Sequence, residues 1–227
     1  MSSGGSRKDA LGYNQQEIEE IGVGINSMAE RAGEAITTAI KLYIVDKVAE
    51  EWYSEIAVKY FEDFKDQLKR KEVEITDIFQ QFSDRIKEGG DAWAEETGGV
   101  APTMPAVETV NLDLDVSPIK TDDAGNRYIS EDLDSKVKGY VETARTEILQ
   151  TFGQLKTEAY ADSAFFGGGQ ADAIQTAADQ LGDAVNGILD ELISGDGSLV
   201  NEIANYKSEY SDVATRNASN FEDSAFK

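Results

Sequence analysis

Carboxylates are the most abundant reactive groups in this chain: 44 Asp and Glu stand against 21 Lys and Arg, and there is no histidine and no cysteine. Without imidazole or thiol there is no Ser/His/Asp or Cys/His nucleophile, no imidazole base and none of the usual zinc ligands. Paired carboxylates in a cleft would serve as acid and base, and a D-x-D-x-D-G loop with a late glutamate would hold calcium. The acidic runs do not fit. Asn111-Leu112-Asp113-Leu114-Asp115 lacks the glycine, and Ser194-Gly195-Asp196-Gly197-Ser198 has the wrong earlier positions. The other acids are spread over polar faces of amphipathic stretches. The glycine-rich runs lack the lysine and hydroxyl pair of a P-loop. The expectation is a non-enzymatic protein with no cofactor and no metal.

Aromatic residues beside small ones carry the more informative spacing. Trp52-Tyr53-Ser54 lies in the stretch EEWYSEI, and Phe165-Phe166-Gly167 follows 113 residues later. Trp93 and Tyr206 each come 41 residues after the first aromatic of their half (93 − 52 and 206 − 165), and Glu96 and Glu209 stand three positions beyond them. The same shift lays Phe61 on Ile174, Leu68 on Leu181 and Ile75 on Ile188. A shift of 114 matches the glycines instead. Two copies of one unit are the natural reading.

Long amphipathic helices must position these residues. Ile18, Ile21, Ile25, Met28, Ala32, Ala35, Ala39 and Tyr43 step by three and four, widened by Ile40, Ile44 and Val48. After Trp52 the period restarts with Ala57, Phe61, Phe64, Leu68, Ile75, Ile78 or Phe79, Phe82 and Ile86, with Gly89-Gly90 as a stop or soft spot. A third stripe runs Leu133, Val137, Tyr140 or Val141, Ala144, Ile148, Phe152, Leu155 and Ala159, and Gly167-Gly168-Gly169 ends it. A fourth runs Ile174, Ala178, Leu181, Val185, Ile188 and Leu192. It continues in phase through Leu199, Ile203, Tyr206, Tyr210 and Val213, which predicts one kinked helix across Gly195-Asp196-Gly197. Asn14 with Glu17, and Ser130 ahead of Glu131 and Asp132, are helix-start signals. All three prolines fall between Thr97 and Ile129, a linker in which Val110, Leu112, Leu114 and Val116 alternate with polar residues. That period predicts a short strand or an extended segment lying along the helices.

A net charge of −23 repels nucleic acid and anionic lipid. There is no apolar run long enough to span a membrane and no Sec-type signal at the N-terminus, so any export is expected to use another route.

Helix, aromatic-x-small corner, second helix and a late aromatic together resemble the WXG-motif (ESAT-like) family, the small helical hairpins exported by bacterial type VII secretion. EEWYSEIAVKYFEDF carries serine in place of the motif glycine, and FFGGGQADAIQ carries phenylalanine in place of tryptophan. The resemblance implies an all-α fold of two fused hairpins in an antiparallel four-helix bundle. The expected organisation is 1–14 disordered, 15–96 first hairpin, 97–129 linker, 130–214 second hairpin and 215–227 tail. It further implies a secreted or cell-surface bacterial protein made in the cytoplasm, whose partners are proteins: the secretion machinery, a co-secreted helical protein or toxin, or a second copy. The partner and secretion residues would be Trp52, Ser54, Phe165, Phe166, Gly167, Trp93, Glu96, Tyr206 and Glu209. The family's Tyr-x-x-x-acid signal is displaced here: Glu96 and Glu209 sit one position early. Tyr13-x-x-x-Glu17 and Tyr128-x-x-x-Asp132 match in letters but precede helices. Trp52 also has a plain packing role open to it, as the cap of a core where two helices part, and a continuous helix through it is the alternative to a turn. A membrane-active helical toxin is the rival function, with AITTAIKLYIV as its best apolar segment.

Overall fold

The structure, a computed structural model, describes residues 11–121, 124–159, 164–194 and 198–224, and they are mostly helical. Helix α1 (Gln15–Ile40) passes through one π turn (Lys41–Val45) into α2 (Asp46–Ala49). The extra residue of the π turn is accommodated as Asp46 N–H bonds Lys41 O, while Lys41 Nζ reaches both Asp46 carboxylate oxygens at 2.8 and 3.0 Å. Helix α3 (Glu55–Thr97), α4 (Leu133–Leu155), α5 (Gln170–Ile193) and α6 (Leu199–Ser224) follow. Among the described residues there are also a 3-10 turn (Lys156–Ala159) after α4 and four two-residue strands: β1 (Gly12–Tyr13), β2 (Trp52–Tyr53), β3 (Tyr128–Ile129) and β4 (Phe165–Phe166). β1 pairs with β4 and β2 with β3, both antiparallel. No helix among the described residues is long and apolar enough to cross a membrane.

Two compact units emerge: Met1–Ala35, Arg70–Leu112 and Ile148–Ile188 form the first, and Ile36–Lys69, Asp113–Glu147 and Leu189–Lys227 the second. In the first unit, a Cβ on Gly90 would lie 3.0 Å from Ile18 Cδ1. An unbroken helix would hold those residues about 100 Å apart, so the chain doubles back near Ser54. It doubles back again at Gly167-Gly168. Lys156 Nζ and Asp179 Oδ1 in the first unit are 2.7 Å apart, and Arg145 Nη2 and Asp190 Oδ2 in the second are 2.9 Å apart. Both pairs straddle those glycines evenly.

Burial follows the expected stripes with instructive shifts. In α4 Leu133, Val137, Val141, Ala144, Ile148, Phe152 and Leu155 are all buried. In α3 Phe79, not Ile78, takes the core position. In α1 the buried row passes through Ile36 rather than Ala35, and Tyr43 is only half-buried. In α5 Leu189 and Ile193 replace Ile188 and Leu192. Three expectations are corrected. Gly89-Gly90 does not stop α3, which runs to Gly98 (φ 64°), where Gly99 N–H bonds Ala94 O at 3.0 Å to close a glycine C-cap. The fourth stripe is two helices, not one kinked one, and α6 continues to Ser224 through the expected tail, although Val213 is exposed. Residues 195–197 lie outside the described residues. Gly12–Tyr13 is a strand, not part of a disordered N-terminus, and only residues 1–10 of that segment lie outside the described residues.

The linker forms no strand at 110–116, yet Val110, Leu112, Leu114 and Val116 are buried and the residues between them exposed. Helix backbones satisfy their own hydrogen bonds, so the linker in the first unit bonds to helix side chains. On α3, Gln80 Oε1, Thr76 Oγ1 and Glu72 Oε1 accept from the N–H of Val107, Val110 and Leu112 at 2.8, 3.0 and 2.9 Å. On α1, Glu19 Oε1 accepts from Thr103 N–H at 2.9 Å.

Candidate functional site

The corner at Trp52 lies in the second unit. Ser54 follows β2 and caps α3: its Oγ accepts the Ala57 N–H at 3.0 Å, and the residue is buried. β2 pairs Trp52 with Ile129 and Tyr53 with Tyr128, whose rings stack at 5.0 Å, and Ser130 N–H bonds Glu51 O at 2.9 Å. Trp52 is fully buried, with Tyr206 of α6 at 5.2 Å and Tyr60 at 6.2 Å between ring centroids. Tyr60 and Tyr206 meet edge-on at 6.0 Å. Burial, then the charge of Glu202, pushes both phenols up, and Glu209 adds to the effect on Tyr206. Among the described residues Trp52 Nε1 has no hydrogen-bond partner.

Glu51 fixes this corner to α4. Its Oε1 accepts from Tyr140 OH at 2.7 Å and its Oε2 from Lys136 Nζ at 2.8 Å. Burial opposes the Glu51 charge, but the hydrogen bonds from Lys136 and Tyr140 outweigh it and hold the carboxyl below its ordinary value. Burial and the same bond push the Tyr140 phenol up to about 12.

The corner at Phe165 lies in the first unit and repeats the plan. β4 pairs Phe165 with Tyr13 and Phe166 with Gly12, and Asn14 N–H bonds Ala164 O at 2.8 Å. Gly167, Gly168 and Gly169 have φ of 69°, 67° and 73°, a left-handed run that disfavours side chains. The late aromatic is here as well: Trp93 Nε1 donates to Gln170 Oε1 at 3.1 Å. A Cβ on Gly89 would collide with Gln170 Nε2, which is why glycine stands inside α3 at that point.

Each unit therefore brings a corner of one half of the sequence to the late-aromatic region of the other half: Trp52 packs on Tyr206, and Gln170, at the start of the helix after Phe165, accepts from Trp93 while Phe165 lies beside Gly89 one turn earlier on α3. Of the expected site residues, Trp52, Ser54 and Phe165 are buried and shape the corners. Phe166, Trp93 and Tyr206 are half-buried, and Gly167, Glu96 and Glu209 are exposed. Sequence reasoning missed Tyr60, Glu51 and the strands before α1 and α4. The signal for those strands was present in Tyr13-x-x-x-Glu17 and Tyr128-x-x-x-Asp132. The first is a strand-then-cap start, as Glu17 N–H bonding Asn14 Oδ1 at 3.4 Å shows, and the second leads from β3 into α4, where Leu133 N–H bonds Ser130 O at 3.2 Å. No group of three or more metal-ligating side chains occurs among the described residues. No family model, curated protein or solved structure matches the chain.

Proposed function

We propose that this chain is a non-enzymatic substrate or partner protein of bacterial type VII secretion, built as two helical hairpins that complete a four-helix bundle within one polypeptide. The observation that carries this reading is the contact of Tyr206 with Trp52: the corner motif of one half meets the late aromatic of the other. Two chain reversals at aromatic-x-small corners support it, as does the repeated strand pairing. Trp52, being buried, acts by shaping the corner. The groups available to a secretion ATPase or co-exported protein are Glu209, Glu96, Tyr206 and the Gly167 loop. The protein is secreted or surface-bound in this reading, after synthesis in the cytoplasm. The test is export of Tyr206→Leu and Glu209→Gln from a host with an active apparatus. A fall of about tenfold in secreted protein, with the folded intracellular pool unchanged, supports the reading. Export of both variants at the wild-type level refutes it.

A further inference from the structure

The first unit carries an apolar hollow with an unpaired cation at its rim, and the second carries a stretch of helix exposed on every side. The hollow lies between α3 and α5 and holds about 210 Å³. Its lining includes Ile78, Phe82 and Leu181 as the apolar part and Gln81, Gln180 and Arg85 as the polar part. Phe79 takes the core position on α3, which leaves Ile78 only half-buried beside the hollow. Arg85 is the one charged residue in the lining. It is exposed, and no carboxylate among the described residues pairs with it.

Helix α6 outruns its core. Ile203 is buried, Tyr206 and Tyr210 are half-buried, and residues 211–219 are all exposed. That is more than two turns of helix with no face covered, although helices in proteins draw most of their stability from packing an apolar face. Val213 continues the row of Ile203, Tyr206 and Tyr210 at helical spacing and is 46% exposed. Glu209, Asp212 and Arg216 flank it on one side. Arg216 Nε donates to the Asp212 carbonyl of its own helix at 3.4 Å. The Asp212 carboxylate has no ion-pair partner among the described residues.

We infer that the α6 overhang docks in the α3–α5 hollow of a second copy, with Val213 entering the apolar part and Asp212 pairing with Arg85 at the rim. Charge selects this occupant. A chain of net charge −23 repels its own copies, but the lining of this hollow carries one cation and no carboxylate. The overhang offers what fits it: an exposed apolar side chain beside an unpaired acid on a preformed helix, the helix-in-groove mode of recognition. Exchange in both directions closes a twofold pair, so each dimer contains the contact twice. Ion pairs at an exposed rim are weak and screened by salt, so the dimer is weak and salt-sensitive. Self-association belongs to the protein alone, so this inference stands or falls apart from the secretion reading.

Sedimentation equilibrium of the full-length protein at about 50 mM salt reads the association directly. Wild type is expected to pass from monomer to dimer with a Kd of about 10–100 µM. Arg85→Glu and Asp212→Arg alter exposed positions and leave the core untouched. Each is expected to weaken the dimer by about tenfold or more, since one attraction becomes a repulsion at both contacts. The double variant Arg85→Glu/Asp212→Arg restores opposite charges across the contact and is expected to return to within about threefold of wild type. Val213→Asp is expected to weaken the dimer at least as much as either single charge reversal. A wild type that stays monomeric at about 0.5 mM, single variants that associate as wild type does, or a double variant as weak as the single ones overturns the inference. Docking of the overhang within its own chain would give the first of these results.

Discussion

Ser54 distinguishes two explanations of the first corner. A turn that requires glycine improves when glycine replaces serine. A turn fixed by a serine cap does not. Ser54 is buried, and its Oγ accepts the Ala57 N–H at 3.0 Å. Removing an N-cap oxygen costs about 1 kcal/mol with alanine and a few tenths with glycine. The N–H left behind is shielded from water, which moves the alanine cost toward the upper part of that range, about 2 kcal/mol. For a chain of this length 1 kcal/mol shifts the melting temperature by about 2–4 °C. Ser54→Ala is therefore expected to melt roughly 4 °C lower or more, and Ser54→Gly within about 2 °C of wild type. Calorimetry or circular dichroism at neutral pH reads both. A Ser54→Ala melt at the wild-type value, or a Ser54→Gly melt lower than that of Ser54→Ala, refutes the cap as the device that holds the turn.

Glu51 supplies a pH dependence. Its folded-state pKa lies below the unfolded one, so its contribution is present above the unfolded value and lost as pH falls through the folded one. Acid unfolding of Glu51→Gln is expected to show a shallower loss of stability below about pH 4.5 than that of wild type. Tyr140 has the opposite sense. Its pKa is raised to about 12, so its contribution is whole below about pH 10 and is lost as pH rises toward 12, and Tyr140→Phe is expected to remove that alkaline dependence in denaturant titrations. Gly33→Ala puts a Cβ 2.6 Å from Asn111 O; a loss of about 1–3 kcal/mol and faster proteolysis between residues 98 and 121 are expected. Gly153→Ala has open space around it and is expected to gain about 0.5–1 kcal/mol in chemical unfolding.

The helices were legible because their apolar residues keep period over many turns. The row from Leu133 to Leu155 needed no revision. Misplaced rows arose where apolar residues sit side by side. Ala35 and Ile36 both satisfy the period, and burial went to the larger side chain. Ile188 and Leu189, then Leu192 and Ile193, offer two equal rows, and packing against α4 is not written in α5 itself. Gly89-Gly90 read as punctuation because local propensity favours a stop. Gln170 at Gly89 and Pro102 at Gly90 supply a tertiary reason for glycine inside an unbroken helix. The linker's alternation announced its buried face but not its bonding partners, since Glu72, Thr76 and Gln80 are ordinary polar helix residues until the linker is laid on them. Two-residue strands carry no period at all. At the candidate site the aromatics were found by spacing, whereas Tyr60 and Glu51 were invisible because their roles depend on α6 and α4, more than 80 residues away in sequence.

This chain is proposed to be cargo or partner of type VII secretion. The most direct measurement is the amount of intact protein in the culture medium of isogenic cells with an active and an inactivated secretion ATPase, normalised to the intracellular pool and to a cytoplasmic marker. The expected result is secreted protein only with the active apparatus, with a ratio above about tenfold and intracellular levels maintained. Equal amounts in the two media, or none in either with a stable intracellular pool, would contradict the claim.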